Sequence, residues 1–146
     1  VAALCEALED GTIDAVATDH APHSSLEKDC EFAEASPGMI GLELVVPILL
    51  ERVLENRFSL ARLVQALTAG PARIVGLDVP SLRTGVAAEV CLIDPERTWT
   101  IEPARLRSKS KNTPFLGKQV RGAVLLTMAS GRIVYDASIS EGQTAR

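Results

Sequence analysis

Histidine is nearly absent from this chain: it occurs twice in 146 residues, and both copies fall in one heptapeptide, ATDHAPH, from Ala17 to His23. Cysteine is scarce too. Cys5, Cys30 and Cys91 are odd in number and widely spaced, which argues against a disulfide framework or a thiolate zinc site and leaves free thiols. Basic residues do not cluster. The 15 Lys and Arg are scattered among 19 Asp and Glu, for a net charge of −4, so no stripe is there to hold a phosphate backbone, and nucleic acid is not an expected partner. No apolar run approaches the roughly 20 residues that cross a bilayer, and no basic segment with an apolar stretch opens the chain. A soluble, cytoplasmic protein without a membrane partner is the expectation. Internal repeats and low-complexity tracts are also lacking.

What the sequence does contain is periodicity. Val1, Leu4, Cys5 and Leu8 share one helical face, so the chain opens on Val1 as if already inside a helix, and a fragment lacking its N-terminal part is expected. Asp10-Gly11 supplies a stop. Ile13 to Thr18 is a short apolar run of strand length, predicted to be buried on both faces like a parallel strand. From Asp19 to about Pro37 periodicity gives way to a polar loop, DHAPHSSLEKDCEFAEASP, whose length suits a mobile flap. Its acids lack the spacing of a calcium loop and read as a solvated segment.

A wide apolar stripe predicts a helix over 39–55, bent at Pro47. Ser59 is placed to cap a second helix ending at Gly70-Pro71, with a short third one through Gly76. Beyond Leu77 the character changes to strands: AEVCLID, TWTI with Trp99 as core, and GAVLLTMASGRIVYD, a hairpin turning at Ser130-Gly131. Between them, Ser108 to Lys111 lack the glycine-rich turn of a phosphate site and read as a surface loop or strand.

A strand that ends in an acid and runs into a polar loop is the arrangement in which barrel enzymes place catalytic groups. Asp19 there could bind a cation through one oxygen and move a proton with the other. Taken alone, an Asp-His pair after a strand is more often a cap or a hydrogen-bonded turn. The longer pattern adds specificity. TDHAPH, SPGMIGLE at 36–43, LTAGPARIVGL at 67–77, SKSKNTPFLGKQVRG at 108–122 and a closing SGRIVYD together resemble the dihydroorotases of the amidohydrolase superfamily, in the order and spacing of that family's C-terminal part.

The resemblance implies an α/β fold. Residues 1–76 would be the end of a (β/α)8 barrel, with its last strand, catalytic loop and following helices, and residues 77–146 a connector and part of a small β-sandwich-like domain. It implies that Asp19 is both metal ligand and general acid/base, with zinc as the metal. It implies that His23 contacts the substrate's carboxylate and that Pro37 and Gly38 border the substrate ring. His20 has no role to transfer and is expected to be a structural, hydrogen-bonded histidine. The reaction implied is reversible hydrolysis of (S)-dihydroorotate to N-carbamoyl-L-aspartate in pyrimidine biosynthesis. The family's other ligands, a His-x-His pair, a carboxylated lysine or an equivalent acid, and two later histidines, are not expected in a chain whose only histidines are His20 and His23.

Three rivals stay open. Dihydropyrimidinase and allantoinase are related cyclic-amide hydrolases whose corresponding strings usually lack the second histidine, their substrates lacking that carboxylate. A non-catalytic, dihydroorotase-like partner of aspartate transcarbamoylase is the third. A homodimer is open as well. The expected consequence of an incomplete barrel is apolar faces left uncovered.

Overall fold

A computed structural model describes residues 1–79 and 81–139. Helix α1 (Ala2–Asp10) ends at Gly11 in the left-handed conformation, where the lack of a Cβ removes the steric penalty. The run 13–18 belongs to no sheet. This corrects the expected buried strand. A parallel strand takes its hydrogen bonds from neighbours on each side, and among the described residues none lies alongside, so 13–18 is only half buried. It is fastened instead by Val16 N–H donating to Ala66 O at 3.0 Å and by the Arg62 guanidinium, which donates to the carbonyls of Leu8 and Ile13. Gly70 is buried so tightly beside this run that a Cβ on it would lie 2.1 Å from Asp14 O.

Helix α2 (Ser25–Lys28) interrupts the long loop. Helix α3 (Val45–Leu54) is shorter than the stripe suggested, because residues 41–44 form a turn and Pro47 falls in the first helical turn. There a missing N–H costs nothing, so the expected bend at Pro47 has no cause. Helix α4 (Leu60–Leu67) starts at Ser59, whose hydroxyl accepts from Arg62 N, and α5 (Ala69–Ile74) follows directly.

The rest is one antiparallel sheet in the order β1-β2-β3: β1 (Val90–Thr100), β2 (Gln119–Ala129) and β3 (Arg132–Asp136). The two strands expected at 88–94 and 98–101 are a single β1 with a register shift between Asp94 and Thr98. There the Asp94 carboxylate accepts from the backbone of Glu96 and Arg97. The β2–β3 hairpin turns at Ser130 (φ 49°) and Gly131 (φ 75°), a pair of positive φ values that matches the twist of the strands. No second sheet occurs among the described residues.

Helix α3 explains its own composition. VVPILLERVL is apolar nearly all round because it walls two cores. Leu50 joins Leu8, Phe58, Leu63 and Ala66 on one side, while Ile48 packs against Ile40, Leu44, Ile101, Leu106 and Val120 on the other. Trp99 is half buried beside the second core and donates its indole N–H to Gly122 O at 3.0 Å. Elsewhere apolar side chains stand open: Leu4, Val75, Leu77, Ile133 and Val134 are each between 59% and 67% exposed. No helix among the described residues is long and apolar enough to cross a membrane.

Candidate functional site

The 13–18 run leads into Asp19, whose backbone turns into the left-handed region at φ 43°, a conformation Asp tolerates better than most residues. The turn leaves its side chain exposed, without a hydrogen bond to any described residue. His20 then points back into the fold. Its Nδ1 accepts from Gly41 N–H at 3.0 Å and from Leu42 N–H at 3.2 Å. A nitrogen that accepts carries no proton, so the ring is the Nε2–H tautomer, held as a cap on the turn before α3.

The next residues run parallel to the second loop. His20 and Met39 form a bridge, and Ala21 N–H donates to Met39 O at 2.9 Å. Glycine makes the approach possible. Gly38 has φ 108°, and a Cβ on it would lie 2.6 Å from Ala21 Cβ; a Cβ on Gly41 would lie 2.8 Å from Thr18 O. Met39 and Ile40 are therefore drawn against the ATDHA segment, and the SPGMIG string is explained by its two glycines.

His23 lies beside Gly38, with Nε2 3.6 Å from where a Gly38 Cβ would stand. Its side chain is 24% exposed, and Nδ1 is 3.9 Å from Glu27 Oε1, too far for a firm hydrogen bond. Directly after it, Ser24 and Glu27 form a capping box for α2. Ser24 N–H donates to Glu27 Oε2 at 2.7 Å, and Glu27 N–H to Ser24 Oγ at 3.3 Å. Donation by Ser24, first from its backbone and then from its hydroxyl, lowers the Glu27 pKa from its ordinary 4.5. The loop is folded rather than free: the Lys28 ammonium donates to the carbonyls of Ser36 and Gly38. Pro37 is exposed beside this contact, and Glu31, Phe32 and Glu34 face solvent.

Thus the fold brings His23 and Gly38 together and puts Asp19 at the head of the same loop, with no hydrogen bond joining Asp19 to His23. Sequence reasoning missed Lys28, Ser110 and Asn112. The segment 108–113 comes back across the loop pair, where Asn112 touches both strands of it and Ser110 donates to His23 O at 2.6 Å. Its only signal was the SKSKN string, read as a surface loop. A separate groove of about 1070 Å³ lies between α3 and the sheet, lined by Val46, Trp99, Val124 and Tyr135 among others, and none of the site residues faces it.

As a donor set these residues offer a cation one corner. Among the described residues Asp19 is an exposed oxygen donor with no hydrogen-bond partner, and no group of three potential ligands occurs. His20 Nδ1 is already engaged.

Residues 1–134 match the amidohydrolase family. The chain is 49% identical over 136 residues to the dihydroorotase of Anaeromyxobacter dehalogenans, covering 93% of this chain and 31% of that protein. It is 49% identical over 135 residues to the dihydroorotase of Geobacter metallireducens, covering 92% and 32%. Among solved structures, the L-hydantoinase (dihydropyrimidinase) of Arthrobacter aurescens is similar with a TM-score of 0.82 at 33% identity, over 91% of this chain and 31% of that one. The chain spans about a third of the length of the curated relatives it matches.

Proposed function

The chain belongs to the amidohydrolase family, and within it we propose that these residues form the Asp19-bearing third of a dihydroorotase, which interconverts dihydroorotate and N-carbamoyl-L-aspartate. The observation that carries this reading is the placement of His23. Its Nε2 faces the backbone of Gly38 at the mouth of the loop headed by Asp19, where an imidazole can meet a carboxylate on the substrate ring. The match to curated dihydroorotases, at 49% identity, covers 92–93% of the chain.

In this reading Asp19 takes a proton from the attacking water and returns it to the ring nitrogen as the amide bond opens. One carboxylate serves both steps, because the proton gained in the first is the one needed in the second. Asp19 would also be one ligand of a zinc ion, the others coming from portions of such an enzyme outside these 146 residues. Bound there, the metal supplies water acidic enough to ionise near neutral pH. His23 donates to the substrate carboxylate, and the backbone at Pro37 and Gly38 borders the ring. A β-sandwich completed around β1–β3, a cytoplasmic location, a homodimer and association with an aspartate transcarbamoylase belong to the same proposal.

Dihydropyrimidinase is the second reading, favoured by the likeness to the Arthrobacter enzyme. One substitution separates them. In the complete enzyme, His23→Ala should lower kcat/KM for dihydroorotate about 10- to 150-fold, the loss of a charge-assisted hydrogen bond worth roughly 1.5–3 kcal/mol. Slow hydrolysis of dihydrouracil, the same ring without the carboxylate, should change little. Wild-type preference for dihydrouracil would defeat the dihydroorotase reading.

A further inference from the structure

Asn112 sits 89 residues from His23 and 74 from Gly38 in sequence, yet it touches the backbone of both. Its Nδ2 donates to Ala21 O at 3.3 Å and to Gly38 O at 3.2 Å. Its Oδ1 accepts from His23 N–H at 3.3 Å. Its own carbonyl accepts from Ile40 N–H at 3.0 Å. Both amide hydrogens and the amide oxygen are in use, so the orientation of the group is fixed: flipped, it would set NH2 against an N–H and oxygen against two carbonyls. Ser110, two residues earlier, completes the hold on His23 by donating to its carbonyl at 2.6 Å.

We propose that Asn112 is a positioning residue for substrate recognition: it locks the His23 loop to the Gly38 loop and so fixes where the His23 imidazole meets the substrate's anionic group. Only a primary amide suits the place. Aspartate has the same shape but presents carboxylate oxygen to two carbonyls and has nothing to donate. The adjoining bonds do not replace it. Lys28 holds the Gly38 carbonyl from the other side but has no hydrogen bond to the His23 backbone, and the Ser110 hydroxyl bonds His23 and Asn112 itself but not the Gly38 loop. The Ala21 N–H to Met39 O bond also joins the two loops, but among the described residues the Asn112 side chain alone bonds both the His23 N–H and the Gly38 carbonyl.

This inference rests on the dihydroorotase reading for its substrate, so its test carries one readout that needs no substrate. In the complete enzyme, Asn112→Asp should reduce kcat/KM for dihydroorotate about 10- to 100-fold, mainly through KM, with bound metal and dihydrouracil hydrolysis nearly unchanged. In a His23→Ala background the same substitution should cost no more than about threefold, because a residue that acts through His23 has nothing left to act on. Amide hydrogen exchange at Ala21 and Ile40, whose bonds cross this junction, should quicken in Asn112→Asp, because its carboxylate repels the Ala21 and Gly38 carbonyls, whichever ring the enzyme hydrolyses. Ser110→Ala, a milder change, should give a smaller KM effect with the same dependence on His23, and it serves if Asn112→Asp does not fold. Losses that multiply with His23→Ala, equal losses on both substrates, or unchanged exchange at the two amides would overturn the proposal. Absence of dihydroorotase activity in the wild type, with quickened exchange in the variant, would overturn the substrate reading and leave the clamp standing.

Discussion

Asp19 is held at φ 43°, and this decides how its chemistry should be tested. Alanine there would add backbone strain to the loss of the carboxylate, and the two effects could not be separated. Asparagine enters the left-handed region as readily as aspartate, so Asp19→Asn keeps shape and backbone while removing the group that accepts a proton. In the complete enzyme kcat should fall at least about 10²-fold, the lower end of a general acid/base contribution, with an unchanged melting temperature. Near-normal kcat with metal retained would reduce Asp19 to a turn residue. His20 shows the opposite division of labour. Its Nδ1 is committed to the Gly41 and Leu42 amides, so the two histidines of ATDHAPH do different things: one ties the turn before α3 to the end of the 13–18 run, the other lies partly exposed beside Gly38.

The capping box on α2 shows what local sequence makes legible. Ser24 and Glu27 stand three residues apart, and their reciprocal bonds need no distant partner. Donation from Ser24 holds the Glu27 pKa below its ordinary 4.5. A carboxylate depressed in the folded state contributes stability above its unfolded pKa, and that contribution is lost as pH falls through the lowered value. The Ser24 amide chemical shift should therefore titrate with a midpoint below 4.5, and Ser24→Ala should return the Glu27 midpoint toward 4.5; an unmoved midpoint would disprove the link. Helix α1, the Ser59 cap and the Ser130-Gly131 turn were legible for the same reason, since periodicity, caps and turn chemistry are written within a few residues. The run 13–18 was not, because a strand exists only through its partners. The clamp at Asn112 was not either. Its bonds span 74 to 91 residues, and nothing in SKSKN announces which loop it will meet.

Helix α3 joins the two cores, so residues 101–120 share packing with 40–48 although the sequence changes character near Leu77. The site depends on that union, since Asn112 reaches the His23 loop only because Ile101, Leu106 and Val120 pack on Ile40 and Leu44. Beyond these cores the surface is unusually apolar: Leu82 is 90% exposed, Leu77 67% and Val75 66%. Such patches on a soluble monomer bind dyes or other copies of the chain. The isolated 146 residues should therefore bind a hydrophobic dye and self-associate with rising concentration, as light scattering would read. They should also bind zinc weakly and leave dihydroorotate intact. A catalytic zinc takes about three protein ligands, whereas among the described residues no group of three is present and Asp19 stands alone. Restoring the remaining ligands, by grafting this segment in place of the matching third of the Anaeromyxobacter dihydroorotase, should restore both metal and turnover. Tight zinc binding and measurable turnover by the isolated, contaminant-free chain would show that its own residues suffice, and would remove the argument that Asp19 is one ligand among several.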